Sequence, residues 1–188
     1  MTKIILASQS PRRKQLLEWA EVPFEIVVKE TEETYPPGLT PEAVAIHIAR
    51  QKALAILPLV SADAVILAAD TIVVLNNRII GKPKSREDAI AILQDLSGSK
   101  HAVITGVVIR KEEKEIAFAD TTDVFFHELT KEQIEFYIDK YKPFDKAGAY
   151  AIQEWIGVIG IKSVKGDFYN VMGLPVSRVV RELNVLMC

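Results

Sequence analysis

The longest apolar stretch in the sequence, over residues 64–75, carries one ionisable residue, Asp70. This stretch falls well short of the roughly 20 apolar residues that a membrane-spanning helix needs. The aspartate divides it into two strand-like segments, and Asn76-Asn77 predicts a turn that closes a hairpin with the residues that follow. The chain therefore needs a sheet that can bury this hairpin, together with a partner or a function for the carboxylate inside it.

Along the whole chain, short apolar runs alternate with helix-period segments that carry start and stop signals, which is the pattern of an α/β fold. No internal repeat or linker is visible, so we predict one domain over residues 1–188, with two lobes around a cleft. Strands are predicted at 3–7, 24–28, 64–69, 71–75, 102–110, 114–126 and near 156–161. Helices are predicted at 11–21, 40–57, between Ser85 and Gly98, at 130–141 and at 174–183.

Composition narrows the class of protein. Of 188 residues, 49% are hydrophobic and 26% charged, as in folded globular chains, and the net charge of -2 argues against a nucleic-acid or membrane-surface binder. Cys188 is the only cysteine, which rules out an intrachain disulfide or a cysteine-rich zinc site. The apolar run before Ser8 is too short for a signal peptide, so we expect a soluble, cytoplasmic protein.

The segment Ser8-Gln9-Ser10-Pro11-Arg12-Arg13 follows a predicted strand and opens a predicted helix. The free N–H groups and the positive dipole at a helix start favour phosphate, and two guanidiniums add charge-assisted contacts. An alternative of about equal weight is a plain Ser-Pro N-cap with two solvated arginines. The position between strand and helix slightly favours an anion site.

Asp70 needs an explanation because a buried carboxylate without a partner is strongly destabilising. It either lies at a strand end or bulge and caps backbone amides, or it serves catalysis or metal binding, which we favour. Glu32 and Glu33, in the loop before the second helix, are by themselves most simply an exposed acidic pair. Together with Asp70, a glutamate would suffice for Mg²⁺, which takes one or two carboxylates plus phosphates and waters.

Lys52, on the helix at 40–57, and Lys82, after the hairpin, are candidate partners for phosphate, although most lysines are merely solvated. Gly81-Lys82 is not a P-loop, because the upstream glycine is missing and Pro83 stands where Ser or Thr is required.

Covalent hydrolysis has little support in the sequence. The chain has no Gly-x-Ser-x-Gly elbow, and Cys188 is a poor candidate for a nucleophile. The three histidines show neither metal-ligand spacing nor a triad partner, and we assign no role to them: His47, His101 and His127.

Six short motifs are spread over nearly the whole chain. They are Leu6-Ala7-Ser8-Gln9-Ser10-Pro11-Arg12-Arg13, Ala49-Arg50-Gln51-Lys52-Ala53, Ala69-Asp70-Thr71-Ile72-Val73, Gly81-Lys82-Pro83, Lys146-Ala147-Gly148-Ala149-Tyr150-Ala151-Ile152-Gln153 and Asn170-Val171-Met172-Gly173-Leu174-Pro175. In order and spacing they resemble the motifs of the Maf family of nucleoside triphosphate pyrophosphatases. Several matching motifs are far more specific than any single one.

This resemblance implies an α/β fold with a two-lobed mixed sheet, flanking helices and a central cleft, related in architecture to the inosine triphosphatases, and often a homodimer. It also implies a divalent metal, Mg²⁺ or Mn²⁺, and a nucleoside triphosphate as substrate. The residues that match the family motifs would then have these roles: triphosphate binding by Ser8, Arg12, Arg13, Lys52 and Lys82; metal binding by Glu33 and Asp70; general base by Asp70; and base selection by Arg12, Thr71 and Gln153.

Asp70-Thr71 and Ile152-Gln153 resemble the subgroup that acts on dTTP and UTP, with modified pyrimidine nucleotides as further expected substrates. The sister subgroup associated with 7-methyl-GTP has Asp-Gln where this chain has Asp70-Thr71. Two segments beside the expected base pocket depart from the family pattern. Residues 142–145 stand where Gly-Glu-Pro is common, and Glu154-Trp155 follows Gln153 where a glycine is frequent.

Two other functions stay open at this point. The first is a non-catalytic nucleotide-binding regulator of cell division, because the family name comes from a proposed link to septum formation. The second is a purely structural partner protein that binds no nucleotide. Turnover separates the enzyme from the first alternative, and nucleotide binding separates it from the second. A housecleaning role in nucleotide metabolism is the expectation that accompanies the enzyme.

Overall fold

The computed structural model describes residues 3–187, so Met1, Thr2 and the cysteine at position 188 lie outside its description. The strands are β1 Ile4–Leu6, β2 Glu25–Ile26, β3 Val65–Leu75, β4 Arg78–Ile80, β5 Lys100–Lys111, β6 Lys114–Phe126 and β7 Ile161–Lys165. The helices are α1 Pro11–Trp19, α2 Pro41–Ile56, α3 Arg86–Leu96, α4 Lys131–Tyr141, α5 Trp155–Gly160, α6 Phe168–Met172 and α7 Val176–Met187.

The strands form one mixed sheet in the order β2-β1-β3-β5-β6-β7, with β4 paired to β3. β1 runs parallel to both β2 and β3, whereas β3–β4 and β6–β7 are antiparallel pairs. The predicted α/β class with a mixed sheet and helices is therefore confirmed, and so is the hairpin after Asp70. None of the described helices is both long and apolar enough to cross a bilayer.

Four helices begin at the polar residue that the sequence predicts. The hydroxyls of Ser10, Thr40, Ser85 and Thr130 each accept a hydrogen bond from the backbone N–H three residues further on. At Thr130 the side-chain oxygen of Gln133 also accepts a hydrogen bond from the backbone N–H of Thr130 at 2.8 Å, which completes a capping box. A local signal of this kind fixes where a helix begins, whatever the helix packs against.

Contacts divide the chain into two compact units. The first comprises residues 1–71, 105–120 and 173–188, apart from the three that are not described. Its core includes a cluster in which α2 packs on the sheet: Ile5, Ala7, Ala49, Ala53, Ile56, Ala64, Ile66, Ala68 and Val108. Helix α2 lies so close to β5 that a Cβ added to Gly106 would be 2.3 Å from the backbone of Ala45.

The second unit comprises residues 72–104 and 121–172. Helices α3 and α4 pack against each other in it, and the guanidinium of Arg86 binds both carboxylate oxygens of Asp139 at 2.6 and 2.8 Å. Tyr137 on α4 is fully buried. Ile134, one turn earlier in α4, and the adjacent Ile138 are buried as well.

Two features of this unit differ from the prediction. Residues 155–160 form helix α5 rather than the strand predicted near 156–161, and the strand begins where the helix ends, at Ile161. Short apolar runs do not distinguish a strand from a buried helical turn by periodicity alone. A Cβ on Gly157 would lie 1.7 Å from the carbonyl oxygen of Ile152, so the chain folds back tightly here, which an extended strand does not do. Helix α6 was not predicted.

Candidate active site

Arg13 is the buried cation at the start of helix α1, with only 8% of its surface exposed. Its guanidinium donates to three uncharged oxygens: Nη1 to Ser8 Oγ at 3.1 Å, Nη2 to Thr71 Oγ1 at 3.0 Å and Nε to the Gly173 carbonyl at 2.8 Å. The alternative of two solvated arginines is therefore wrong for Arg13. Its positive charge is fixed in place without a carboxylate among these hydrogen-bond partners.

Burial lowers the pKa of the Arg13 guanidinium from its usual value, and the negative charge of Asp70 acts in the opposite direction. The positive charge of Arg12 also lowers this pKa, and Glu33 raises it. Two neighbouring guanidiniums that repel each other in this way would be stabilised by an anion. Arg12 itself is half-buried in the first turn of α1.

Ser8 holds the turn between β1 and α1. Its buried hydroxyl oxygen accepts from the backbone N–H of Ser10 at 3.2 Å and from Arg13 at 3.1 Å. A hydroxyl that accepts twice still has its own proton to donate. Ser10 in turn caps α1, accepting from the Arg13 N–H at 3.4 Å, so the strand-to-helix turn is built as the sequence predicts.

Lys52 on α2 brings two acidic residues together. Its ammonium donates to Oδ1 of Asp70 at 2.6 Å and to Oε1 of Glu33 at 2.9 Å. Asp70 lies inside the continuous strand β3 and is 7% exposed, whereas Glu33 is exposed in the loop before α2. The alternative of a strand end or bulge at Asp70 is wrong, because the carboxylate faces a cation from within the continuous strand β3.

The same carboxylates form a donor set that suits a divalent cation. Within residues 3–187 no group of three or more His, Cys, Asp and Glu side chains is arranged to hold a metal. Glu33 and Asp70 both point an oxygen at one position, which the cationic Nζ of Lys52 takes. Two carboxylates are enough for Mg²⁺ where phosphate and water supply the other ligands, so the residues fit such an ion.

Thr71 joins three separate parts of the first unit. Its hydroxyl oxygen accepts from Arg13 and lies 2.9 Å from the hydroxyl of Thr105 on β5. It also lies 3.4 Å from the carbonyl oxygen of Gly173, to which it can donate. The motifs around Ser8, Asp70 and Gly173 are thus connected by direct hydrogen bonds.

Lys82 and Gln153 belong to the second unit, and both side chains are exposed. The segments that carry them are connected, since the N–H of Gly148 donates to the carbonyl of Gly81 at 3.1 Å. Gln153 lies immediately before helix α5, between the buried Ile152 and the half-buried Glu154. The predicted site residues therefore divide into two groups by unit, with direct contacts shown within the first group and this backbone bond between the segments of the second.

Several polar residues of these groups were missed from sequence. Thr105 and the carbonyl of Gly173 support Arg13 and Thr71, and Tyr137 bonds to the segment before α5. His101, for which the sequence predicts no role, lies with Nε2 2.7 Å from the hydroxyl of Tyr150, and burial lowers its pKa to about 4. For His101 and Thr105 the available signal was a polar residue within the otherwise apolar strand β5, whereas Tyr137 on α4 gave no such signal.

Comparison with known proteins matches this chain to relatives over nearly its full length. Residues 3–186 match the family model described as Maf-like protein. The dTTP/UTP pyrophosphatase of Cytophaga hutchinsonii is 52% identical over 185 residues, covering 97% of this chain and 83% of that protein. The dTTP/UTP pyrophosphatase of Parabacteroides distasonis is 47% identical over 182 residues, covering 96% of this chain and 94% of the other.

A solved structure, the nucleoside-triphosphatase or dITP/XTP pyrophosphatase of Mycobacterium abscessus, is similar at 18% sequence identity with a TM-score of 0.41. It covers 68% of this chain and 76% of its own. At that distance it bears on neither the fold nor the function of this chain.

Proposed function

Since the chain belongs to the Maf family, we propose that it hydrolyses dTTP and UTP to the nucleoside monophosphate and pyrophosphate. The observation that carries this proposal is the pairing of a buried guanidinium, Arg13, with a nearby lysine that holds two carboxylates. A polyanion and its metal need this combination of fixed positive charge and carboxylate oxygens.

The triphosphate would be bound by Ser8, Arg12, Arg13, Lys52 and Lys82. Arg13 supports this assignment because its hydrogen bonds hold it rigid while leaving its charge without a carboxylate among the bonded partners. A cation that is already oriented loses little entropy when phosphate binds. The N–H groups at the start of α1 add partial positive charge beside it.

Asp70 would act as the general base. A water oxygen attacks the α-phosphorus, its proton passes to the Asp70 carboxylate, and the bond from the α-phosphorus to the bridging oxygen breaks so that pyrophosphate leaves. Lys52 supports this role because it fixes Oδ1 of Asp70 at 2.6 Å and so orients the carboxylate. At the least, the Asp70 carboxylate would hold the attacking water in position.

A divalent cation, Mg²⁺ or Mn²⁺, would be held by Glu33 and Asp70 together with phosphate oxygens. When bound, such an ion offsets the negative charge that develops on the leaving pyrophosphate. The protein's own contribution is the convergence of two carboxylate oxygens on one position.

Base selection would rest on Arg12, Thr71 and Gln153. Thr71 supports this assignment through its fixed hydroxyl beside Arg13, and Gln153 through an exposed amide on the turn before α5. An amide side chain both donates and accepts hydrogen bonds, as the edge of a pyrimidine base requires. Modified pyrimidine nucleotides are further proposed substrates. A cytoplasmic location, an absence of nucleic-acid and membrane partners, and a homodimer are also part of the proposal.

The test incubates purified protein with a panel of canonical, methylated and modified nucleoside triphosphates and either Mg²⁺ or Mn²⁺, and follows pyrophosphate and orthophosphate separately. We expect pyrophosphate from dTTP and UTP ahead of the purine nucleotides. Orthophosphate alone would mean that a different phosphoanhydride bond is cleaved. Tight dTTP binding without any product would favour a nucleotide-binding regulator, and no binding in calorimetry would favour a structural protein.

A further inference from the structure

The backbone that carries Gln153 is held by a hydroxyl from a different helix. Tyr137 is fully buried on α4, and its hydroxyl oxygen accepts from the N–H of Ala151 at 3.1 Å. The same hydroxyl donates its proton to Oε2 of Glu154. One phenol therefore bonds to the chain two residues before Gln153 and one residue after it.

Glu154 is tied on its other side as well. Its Oε1 lies 3.7 Å from the ammonium of Lys146, which is itself buried and bonds to Asp145 at 2.8 Å. The backbone N–H of Glu154 donates to the carbonyl of Ala151 at 3.1 Å, which closes a turn around Gln153. Glu154 stands where the family pattern frequently has glycine, and a glycine would make none of these side-chain bonds.

The turn is also packed tightly. The N–H of Gly157 donates to the carbonyl of Glu154 at 2.9 Å, and a Cβ on Gly157 would lie 1.7 Å from the carbonyl oxygen of Ile152. Ala151 and Ile152 are each 5% exposed. The exposed side chain of Gln153 therefore projects from a backbone that is held in place on both sides.

We infer that Tyr137 and Glu154 are positioning residues that set base selectivity by fixing the backbone from which the Gln153 side chain projects. The inference rests on the proposed function, in which Gln153 contacts the base. A side chain that reads hydrogen-bond donors and acceptors has to be held within a fraction of an ångström. Neither residue contacts the group around Arg13 and Asp70 through the bonds described above, so their effect on selectivity through Gln153 can be tested with Arg12, Thr71 and the phosphate-binding residues left unchanged.

The principal variant is Tyr137→Phe, which removes the hydroxyl and keeps the ring. We expect the ratio of kcat/KM for dTTP over that for dCTP to fall about tenfold, through KM for dTTP and with kcat nearly unchanged. The amide of Ala151 should exchange with deuterium about tenfold faster. Tyr141→Phe is the matched control: its ring stacks on Tyr137 at 5.1 Å, and it should change neither quantity.

Glu154 supplies the second set of variants, and these stand even if Tyr137→Phe fails to fold. Glu154→Gln keeps an oxygen that accepts from the Tyr137 hydroxyl and should retain most of the selectivity. Glu154→Ala should lose it to the same extent as Tyr137→Phe. A purely structural role predicts lower stability with an unchanged dTTP/dCTP ratio, and that result would overturn the inference.

Failure of the proposed function and failure of the positioning inference give different results. If the wild-type protein releases no pyrophosphate from any nucleotide, the proposed function fails, and the selectivity inference falls with it. Exchange at Ala151 is read without any nucleotide, so it still tests whether the Tyr137 hydroxyl holds this turn. Unchanged exchange in Tyr137→Phe would overturn the positioning role even in a fully active enzyme.

Discussion

The ammonium of Lys52 lies 2.6 Å from Oδ1 of Asp70 and thereby connects helix α2 to the middle of strand β3. This contact joins the one ionisable residue of the longest apolar stretch to a lysine 18 positions earlier in the chain. A carboxylate inside a strand of this kind is stable only with such a partner. The position of the carboxylate is consequently set by α2 as well as by its own strand.

Asp70→Asn should strongly reduce turnover while the protein still folds. The amide is the same size but cannot accept a proton from water, so we expect kcat to fall by about 10²–10⁴, the range for loss of a general base. Pyrophosphate release from dTTP measures the activity, and circular dichroism with a thermal melt checks the fold. Full turnover in a folded variant would contradict the catalytic role of Asp70.

Lys52→Met should strengthen binding of Mn²⁺ in the absence of nucleotide. The ammonium takes the position on which Asp70 and Glu33 converge, and its removal frees both oxygens for a metal. We expect Kd for Mn²⁺ to fall about tenfold, the equivalent of one charge-assisted hydrogen bond. Calorimetry without nucleotide measures this directly, and Lys52→Met combined with Glu33→Gln is the control that should reverse it. Weaker binding in the single variant would place the metal elsewhere.

Arg13→Lys should damage both stability and substrate binding. Lysine cannot reproduce the three-way contact to Ser8, Thr71 and Gly173, so buried oxygens lose their donor. We expect the free energy of unfolding to fall by about 1–3 kcal/mol. KM for dTTP should rise as well. Urea unfolding and steady-state kinetics measure the two effects, and wild-type values for both would show that a point charge is sufficient at this position.

Lys142→Gly should stabilise the protein. Lys142 ends α4 with φ 46° and ψ 62°, a left-handed conformation that strains any residue with a Cβ. Because the Lys142 side chain is exposed, the backbone conformation dominates the effect of the substitution. We therefore expect the free energy of unfolding to rise by about 1 kcal/mol. Denaturant unfolding measures the change. Destabilisation would indicate that the Lys142 side chain contributes more than its conformation costs.

His101 should make the fold sensitive to mild acid. Burial lowers its pKa to about 4 from 6.5, so below pH 6.5 the unfolded chain binds a proton that the folded chain does not. Stability should therefore fall as the pH drops from about 6.5 towards about 4. Between pH 7 and pH 5 the contribution is about 2 kcal/mol. Urea unfolding at both pH values should show a smaller loss in His101→Gln, and an equal loss would mean that other groups dominate.

The parts of the fold that could be predicted from sequence are those with local causes. Ser10, Thr40, Ser85 and Thr130 begin their helices because a hydroxyl caps the next turn regardless of what lies around it. Helix α5 was predicted wrongly because its apolar run fits a strand equally well and only the tight packing of Gly157 decides.

The candidate site was predictable as a list of residues but not as a geometry. The charge and position of Asp70, Lys52 and Glu33 marked them individually, yet their common contact depends on how α2 packs on β3. The burial of Arg13 was likewise invisible, since an arginine in the first turn of a helix is usually solvated. Tyr137 gave no signal, because its hydroxyl meets Ala151 14 residues later in the chain.

The close approach of α2 to Gly106 has an evolutionary consequence. Every substitution at this position adds a Cβ, which would collide with backbone atoms of Ala45 and Ile46 at 2.3 Å and push the helix away from the sheet. Lys52 lies on that same helix, so a shift of the helix would also disturb the contact between Lys52 and Asp70. Natural selection for catalysis would then act on a residue that has no side chain and performs no chemistry. No substitution of Gly106 would be tolerated unless the residues around it changed as well.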